Sequence, residues 1–529
     1  MRVCSPLGAA MILGLLLACA PDGLDSDPPT EAPRDTEVPT WLSLETEVEC
    51  AAPTSLAFRD MAPEWGLSGV SNPDGNHLNG GGAGVADFDR DGDLDVLLAY
   101  SGIPLYLYRW EGSAFVAESI TIRSTRDTGT VLPFDIEGDG DLDAIVGGAT
   151  AGVTFLRNHG TVLMEEALFL PAALPRDGMY GAAAADFDAD GDVDVYVPLY
   201  GMNVPDRTDA ILRNEGGTFV VADPLPSSEG AKTYQALWFD ADGDGDLDAY
   251  ATNDQGPQAG GNALFLNEAG VLTPSASVCA PTTSGMSADA ADVSGDGLAD
   301  LYLGNSDFGN LYFADGEGSF YDVAAALGAQ NAVANGDPDM VWGVALYDAE
   351  NDGDLDIFAA HGDLWAPSDP SSTLTDAADS LLLQGADGAF TEVAPQLGID
   401  TIESSRAVVP ADFNGDGVLD LLVTGAVTEP HLWVSQGCTS GAWIDVRLVG
   451  SVDNLHGLGA RVEIEAGGRT LTAWATASAS LFSGREAWVH LGLGEVDTVD
   501  RLTVTWPSGD HQSTDFPFPA RRRVVVTQP

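Results

Sequence analysis

Asp87-Phe88-Asp89-Arg90-Asp91-Gly92-Asp93-Leu94-Asp95 places carboxylates at positions one, three, five, seven and nine of a short stretch, with glycine at six. Crowded in this way, the carboxylates repel one another unless a cation sits among them. A hard cation such as Ca²⁺ takes about six to eight oxygens at roughly 2.3–2.6 Å, which a tight acidic loop can supply. The glycine allows the sharp turn that aims several side chains inward. The chain repeats the stretch six more times. Carboxylates fall at Asp135, Glu137, Asp139, Asp141 and Asp143, then at Asp186, Asp188, Asp190, Asp192 and Asp194. They recur at Asp240, Asp242, Asp244, Asp246 and Asp248, and at Asp348, Glu350, Asp352, Asp354 and Asp356. Two copies are poorer, with Asp292, Ser294, Asp296, Leu298 and Asp300 in one and Asp412, Asn414, Asp416, Val418 and Asp420 in the other. Each copy is expected to be a Ca²⁺ loop, giving up to seven ions.

Other acidic-loop chemistries are excluded by spacing. An EF-hand needs glutamate at position twelve, and the residues there are Leu98, Val146, Val197, Ala251, Leu303, Ala359 and Val423. Calcium-binding β-helices repeat every nine residues, whereas these loops start 48 to 64 residues apart. The histidines show no zinc spacing, and no CxxC, HExxH or nucleophile elbow is present. His361 and Arg406 are the pair that could serve a lyase as base and cation. Trp238, Trp342 and Trp365 could stack sugars, although packing between sheets is the commoner use of such residues.

The elements that position the loops are legible in each interval. A small-residue run such as Gly82-Ala83-Gly84-Val85-Ala86 precedes the loop, and an apolar run such as Val96-Leu97-Leu98-Ala99 follows it. A third apolar segment, such as Ala263-Leu264-Phe265-Leu266-Asn267, leads through a glycine-rich turn to a fourth, such as Ser319-Phe320-Tyr321-Asp322-Val323-Ala324. Four strands per repeat make a blade of a β-propeller. Small residues suit the innermost strand, where blades crowd the channel. After the last loop the fourth strand is missing, and a matching segment, Phe58–Ala62, stands before the first. It is expected to pair with His431–Val434 and close the ring, leaving no sheet edge open. That pairing would bring Cys50 and Cys438 to one edge of the seventh blade, where a disulfide is expected. Pairs with Cys279 are the alternatives.

The chain has 529 residues, 44% of them hydrophobic, and a net charge of −61. Over a third of its 82 acidic residues lie in the loops. The negative surplus argues against nucleic acid or anionic lipid as partner. Residues 1–19 read as an export signal ending in Leu16-Leu17-Ala18-Cys19, which resembles a bacterial lipobox and implies lipidation of Cys19. An ordinary secretory signal is the alternative. Residues 20–48, acidic and proline-rich, are expected to be a disordered tether. From Trp443 onward, period-two strands such as Arg461-Val462-Glu463-Ile464-Glu465 predict a separate β domain over 440–529.

The loops over 51–437 resemble the FG-GAP/VCBS repeat of integrin-α-type propellers. Leu458-Gly459-Ala460-Arg461-Val462, His490-Leu491-Gly492-Leu493-Gly494 and Val504-Thr505-Trp506-Pro507-Ser508-Gly509 together resemble the ASPIC/UnbV domain, which follows such repeats in bacterial proteins similar to cartilage acidic protein. The resemblance implies that side chains at positions one, three, five and nine bind Ca²⁺ together with the position-seven carbonyl. The two loops with Ser294 and Asn414 are then the weaker sites. The expected fold is all-β, a seven-bladed β-propeller followed by a small β-sandwich-like domain. The expected function is a monomeric, lipid-anchored, calcium-binding module without catalytic residues. It would sit on the outer membrane or cell surface and bind an extracellular protein or polysaccharide. The alternative is a secreted, polysaccharide lyase-like enzyme.

Overall fold

The computed structural model describes residues 38–48, 55–71, 80–122, 128–148, 152–166, 178–200, 208–222, 225, 232–254, 261–275, 283–306, 308–331, 340–362, 378–436 and 441–529. The expected lipidation at Cys19, the expected disulfide between Cys50 and Cys438, and Cys279 and Trp365 all lie outside these residues.

Among the described residues, six antiparallel sheets of four strands carry the second to seventh repeats, and the four antiparallel strands of the first repeat belong to a six-stranded sheet. The innermost strands are Gly82–Ala86, Thr128–Phe134, Ala183–Ala185, Thr233–Phe239, Gly285–Ala291, Val341–Tyr347 and Ser405–Ala411, each packing on the next and the last on the first. Their composition follows from crowding at the axis. A Cβ on Gly82 would stand 2.0 Å from the Gly129 carbonyl oxygen and 2.5 Å from that of Phe482. In the seventh sheet, Phe58–Asp60 pairs antiparallel with His431–Ser435, in the register Phe58 with Ser435 and Asp60 with Trp433. The strand stops at Asp60, and Ala62–Trp65 forms one helical turn ended by Gly66 at φ 81°. Ala324–Leu327 and Ala394–Leu397 repeat this ending after the fourth strands of the fifth and sixth sheets.

The C-terminal module is a sandwich of two four-stranded sheets, but it is not separate. Leu42–Leu44 falls within the stretch expected to be disordered, yet it pairs with Val524–Val526 and supplies the module's edge strand. Arg522–Thr527 runs parallel to Ala442–Val449, which pairs on its other side with Trp488–Gly494. The second sheet holds Arg469–Trp474, Arg461–Ala466, Arg501–Thr505 and His511–Ser513. Along Arg461–Ala466 the residues alternate half-buried and buried, as period two predicts.

A hairpin of this module enters the propeller. Ser483–Arg485 pairs parallel to Gly84–Val85 and extends the first sheet inward, and the Val131 amide donates to the Phe482 carbonyl. Leu481 and Phe482 are fully buried against Tyr180, Tyr234, Met286 and Trp342. The apolar core of the sandwich also runs on into the second and third blades, where Ile444, Val462 and Val504 share a cluster with Phe134, Phe155 and Leu212. The period-two pattern reports which face of a strand is buried, not against which partner, and the expectation of an independent domain fails for that reason. The tryptophans likewise serve packing. Trp342 is fully buried with the Arg406 guanidinium 4.1 Å above its ring, and Trp238 is buried against Phe187.

Candidate metal centres

Each acidic loop lies between the first and second strands of its blade and is wound on its own carboxylates. In six of the loops the position-one aspartate accepts from the amides of positions five and six, and in the fourth Asp240 accepts from those of Gly243 and Gly245. In the first loop Asp91 N and Gly92 N reach Asp87 at 3.1 and 3.0 Å, and in the fifth Asp296 N and Gly297 N reach Asp292, both at 2.9 Å. In all seven loops the position-five aspartate accepts from the position-seven amide at 2.9–3.0 Å. Apolar residues at position two, such as Phe88, Ile136 and Val293, are buried between blades. The apolar residues at position twelve are buried in the second strands. Acids at alternate positions with apolar residues at two and twelve are therefore one pattern, a loop pinned at both ends.

Position nine has a second task that spacing did not show. Its carboxylate accepts the amide at the end of the blade's third strand, as from Trp110 to Asp95 at 3.0 Å, Asn267 to Asp248 at 2.7 Å and Ser435 to Asp420 at 2.7 Å. Asn158, Asn214 and Asn267 then donate to the position-two carbonyls of the preceding loops, Phe88, Ile136 and Phe187, each at 2.7 Å. The recurring Leu-Arg-Asn and Phe-Leu-Asn endings of these strands were the available signal for this tie between blades.

In the first four loops, three carboxylates offer oxygens within 4.8 Å of one another. The groups are Asp87, Asp89 and Asp91; Asp135, Glu137 and Asp143; Asp186, Asp188 and Asp194; and Asp240, Asp242 and Asp248. Oxygens gathered that closely need only small side-chain shifts to share one cation at Ca²⁺–oxygen distances of roughly 2.3–2.6 Å. Asp89 Oδ1, Asp188 Oδ1, Asp194 Oδ2 and Asp242 Oδ1 are buried with no hydrogen-bond partner. Orphaned buried anionic oxygens are costly, and a cation is the group that would satisfy them. Burial, with neighbouring carboxylates adding, pushes Asp143 and Asp194 up to about 8 and Asp95, Asp248 and Asp300 up to about 7. Asp356 and Asp420 move in the same direction for the same reasons. The residues fit a hard divalent cation.

Position seven contributes no side chain to these groups, its carboxylates being engaged elsewhere. Asp141 meets Arg90 at 2.8 Å, and Asp192 and Asp246 accept from the turns at Gly216 and Ala269. Asp93 stands apart from the first loop's three-carboxylate group.

No group of three forms in loops five to seven among the described residues. The fifth has Ser294 at position three, with its amide on Asp300 at 2.7 Å, and Leu298 half-buried at seven. In the seventh, the Asn414 amide group turns to Asp416 at 3.0 Å and Val418 is buried. The sixth departs from expectation despite its five carboxylates. Asn351, at φ 59°, donates to the Gly417 carbonyl and meets His490 Nε2 at 2.7 Å, while Arg469 takes Asp354 at 2.6 Å. His490 and Arg469 belong to the C-terminal module.

His361 and Arg406, the expected base and cation of a lyase, are both buried. His361 Nε2 is 2.8 Å from the Asn331 side-chain amide, and burial pushes the ring down to about 4. His490 is structural, held by Asp445 at 2.5 Å.

The described residues include no helix long and apolar enough to cross a membrane. A family model described as FG-GAP-like repeat matches residues 87–146, 292–359 and 368–423, and one described as ASPIC and UnbV matches 450–529. No curated protein matches the chain. Among solved structures, an Agrocybe aegerita lectin recognising non-reducing terminal N-acetylglucosamine is 18% identical over 59% of this chain and 79% of its own, at a TM-score of 0.40. YCF48 from Cyanidioschyzon merolae is 10% identical over 71% of this chain and 98% of its own, at 0.43. The chain is an all-β protein of FG-GAP-like repeats with a C-terminal ASPIC and UnbV domain.

Proposed function

We propose that this protein is a calcium-stabilised interaction module, exported and held at the cell surface through Cys19, that binds an extracellular protein or polysaccharide and catalyses no reaction. The observation that carries the reading is the set of four three-carboxylate groups with buried, unpartnered oxygens. Ca²⁺ suits them because all the donors are oxygens and several are anionic. Asp89, Asp188 and Asp242 would hold the ion together with the position-one carboxylates, and the ion would cancel the repulsion among them. A propeller of FG-GAP-like repeats is in general a platform for binding, and proteins built on it are typically extracellular. Burial of His361 and Arg406 leaves the lyase alternative without its base and cation at a surface.

The test is a calcium titration of the metal-free full chain, followed by calorimetry and by melting. Sites in extracellular modules bind at roughly 10⁻⁴–10⁻³ M, so millimolar Ca²⁺ should raise Tm by linkage. Identical melting in millimolar Ca²⁺ and in excess chelator would overturn the proposal.

A further inference from the structure

Between the fifth and sixth loops and the C-terminal module lies a cleft of about 410 Å³. Its propeller wall carries Asp289 and Ser294, and its other wall carries Trp474, Thr476 and Arg485. Most charged groups around it are committed. Arg469 is paired with Asp354, and His490 lies between Asp445 and Asn351. Asp289 and Arg485 are not paired in this way. The Asp289 carboxylate accepts the backbone amides of Leu346 at 2.8 Å and Ala290 at 2.9 Å, which leaves lone pairs on both oxygens. Arg485 donates to the Pro410 carbonyl at 3.3 Å, and its remaining N–H groups have no protein acceptor among the described residues. The two lie close enough to act on each other's charge, yet no ion pair joins them. Trp474 is partly buried; it packs against the cluster that holds Leu237 and Phe239 and also lines the cleft.

We propose that this cleft binds a short neutral saccharide of one or two sugar units. A carboxylate that accepts, a guanidinium that donates, small hydroxyls and a half-covered indole match a ring with hydroxyls around its rim and C–H bonds on its face. A polyanion is disfavoured by Asp289, Asp292 and Asp348 on the propeller wall, and a polycation by Arg485 and Arg469 opposite. The volume falls within the range of roughly 300–1,000 Å³ usual for small-molecule sites. The inference deepens the proposed function by naming a ligand class, and it does not require that cations occupy the loops.

The full chain in millimolar Ca²⁺ is titrated by calorimetry with maltose, cellobiose, lactose and chitobiose, and with glycylglycine as a zwitterion of similar reach. One disaccharide is expected to bind and glycylglycine to fail. Asp289→Asn keeps an acceptor for one backbone amide and Trp474→Ala removes the indole; each should weaken the sugar about tenfold or more. Calcium-dependent melting recorded on the same samples reports separately on the loops. No binding of any disaccharide, binding unchanged in both variants, or preference for glycylglycine would each overturn the proposal. Should Trp474→Ala melt early, Trp474→Phe, which keeps an aromatic face, is expected to retain binding in place of it.

Discussion

Loops one to four and loops five to seven are wound on the same backbone but differ in what stands beside their carboxylates. In the first three, position three meets an arginine of its own blade: Arg109 at 3.3 Å from Asp89, Arg157 on Glu137, and Arg213 at 3.0 Å from Asp188. The fourth has Leu266 at the corresponding place and, among the described residues, no ion pair at Asp242. In all four, three oxygens still converge. Loops five to seven take their positive charge from the C-terminal module instead. Arg461 reaches the Gly297 carbonyl at 3.3 Å, Arg469 the Gly353 carbonyl at 2.9 Å and Asp354, and Arg523 Asp412 at 3.3 Å. One half of the ring keeps its acids gathered for an ion, and the other half answers them with side chains from elsewhere in the chain. A repeat that keeps one loop backbone is thus divided in its electrostatics.

The largest expected effect comes from loosening the module that serves the second half. Phe482→Ala empties a fully buried site in the channel and should cost about 3–5 kcal/mol in chemical denaturation. The loss should be the same with and without Ca²⁺. A loss confined to the calcium-bound protein would mean that the hairpin acts through loops one to four and would erase the division.

Next come the loops themselves. Asp242→Ala removes a converging oxygen where no arginine stands by, so it should abolish one calcium site and about 1–3 kcal/mol of calcium-dependent stability. Asp91→Ala should likewise cost more calcium-dependent stability than Asp296→Ala, since Asp91 belongs to a three-carboxylate group and Asp296 to none. Arg469→Ala should destabilise by under about 1 kcal/mol whether or not calcium is present, because its bonds to the Gly353 carbonyl and Asp354 are exposed and water can replace them. Parallel melts of the variants at two calcium concentrations decide the order. Equal calcium dependence for Asp242→Ala and Arg469→Ala would break the comparison.

This division explains how far the sequence could be read. The all-β fold, loop placement and the Phe58–Asp60 seam follow from local spacing, because a loop with acids at alternate positions and apolar residues at two and twelve has one way to sit between two strands. What Arg461, Arg469, Arg523 and His490 touch is set by contacts more than a hundred residues away in sequence, and their own strands show only a buried and an exposed face. The Ser483–Arg485 hairpin was harder still, since three residues give no periodicity. The sixth loop's departure from its neighbours therefore could not be seen in its own nine residues. Asn351 at position four, where its neighbours have Arg90, Gly138 or Ala189, was the one local hint.

Gly417 gives a sharper, single-site version of the contrast. It is position six of the seventh loop at φ 81°, and a Cβ there would come within 1.8 Å of the Trp443 indole. Gly92, at the same position of the first loop, has φ 98° and open space around it. Both substitutions by alanine carry the backbone cost of a left-handed residue, roughly 1 kcal/mol. Gly417→Ala should cost about 1–3 kcal/mol more, because Trp443 must move. Similar melting of the two variants would show that the module does not press on the seventh loop.

The smallest effect concerns the seam, which depends on neither cation nor module and so serves as the control. His431 Nδ1 lies 2.8 Å from Asp60 and Nε2 lies 3.2 Å from Glu403. Burial alone would lower the His431 pKa, but the bonds to Asp60 and Glu403 outweigh it and the net shift is upward. For Asp60 burial alone would raise the pKa, and the bonds from His431 and the Ala62 amide carry it downward. A histidine raised above its unfolded value of about 6.5 contributes stability that is complete below that pH and fades as pH rises through the folded value. An aspartate lowered below about 3.9 contributes stability present above that pH and lost as pH falls through its folded value. The pair is therefore strongest between about pH 4 and 6.5 and weakens toward pH 8. Both groups are partly exposed, so the gain is under about 1 kcal/mol. In millimolar Ca²⁺, the stability difference between the native chain and His431→Gln should shrink from pH 6 to pH 8. In Phe482→Ala and Asp242→Ala backgrounds the same shrinkage should appear unchanged, because distant sites add. A pH dependence that vanishes in either background would tie the seam to the loops and leave the ring without an independent closure.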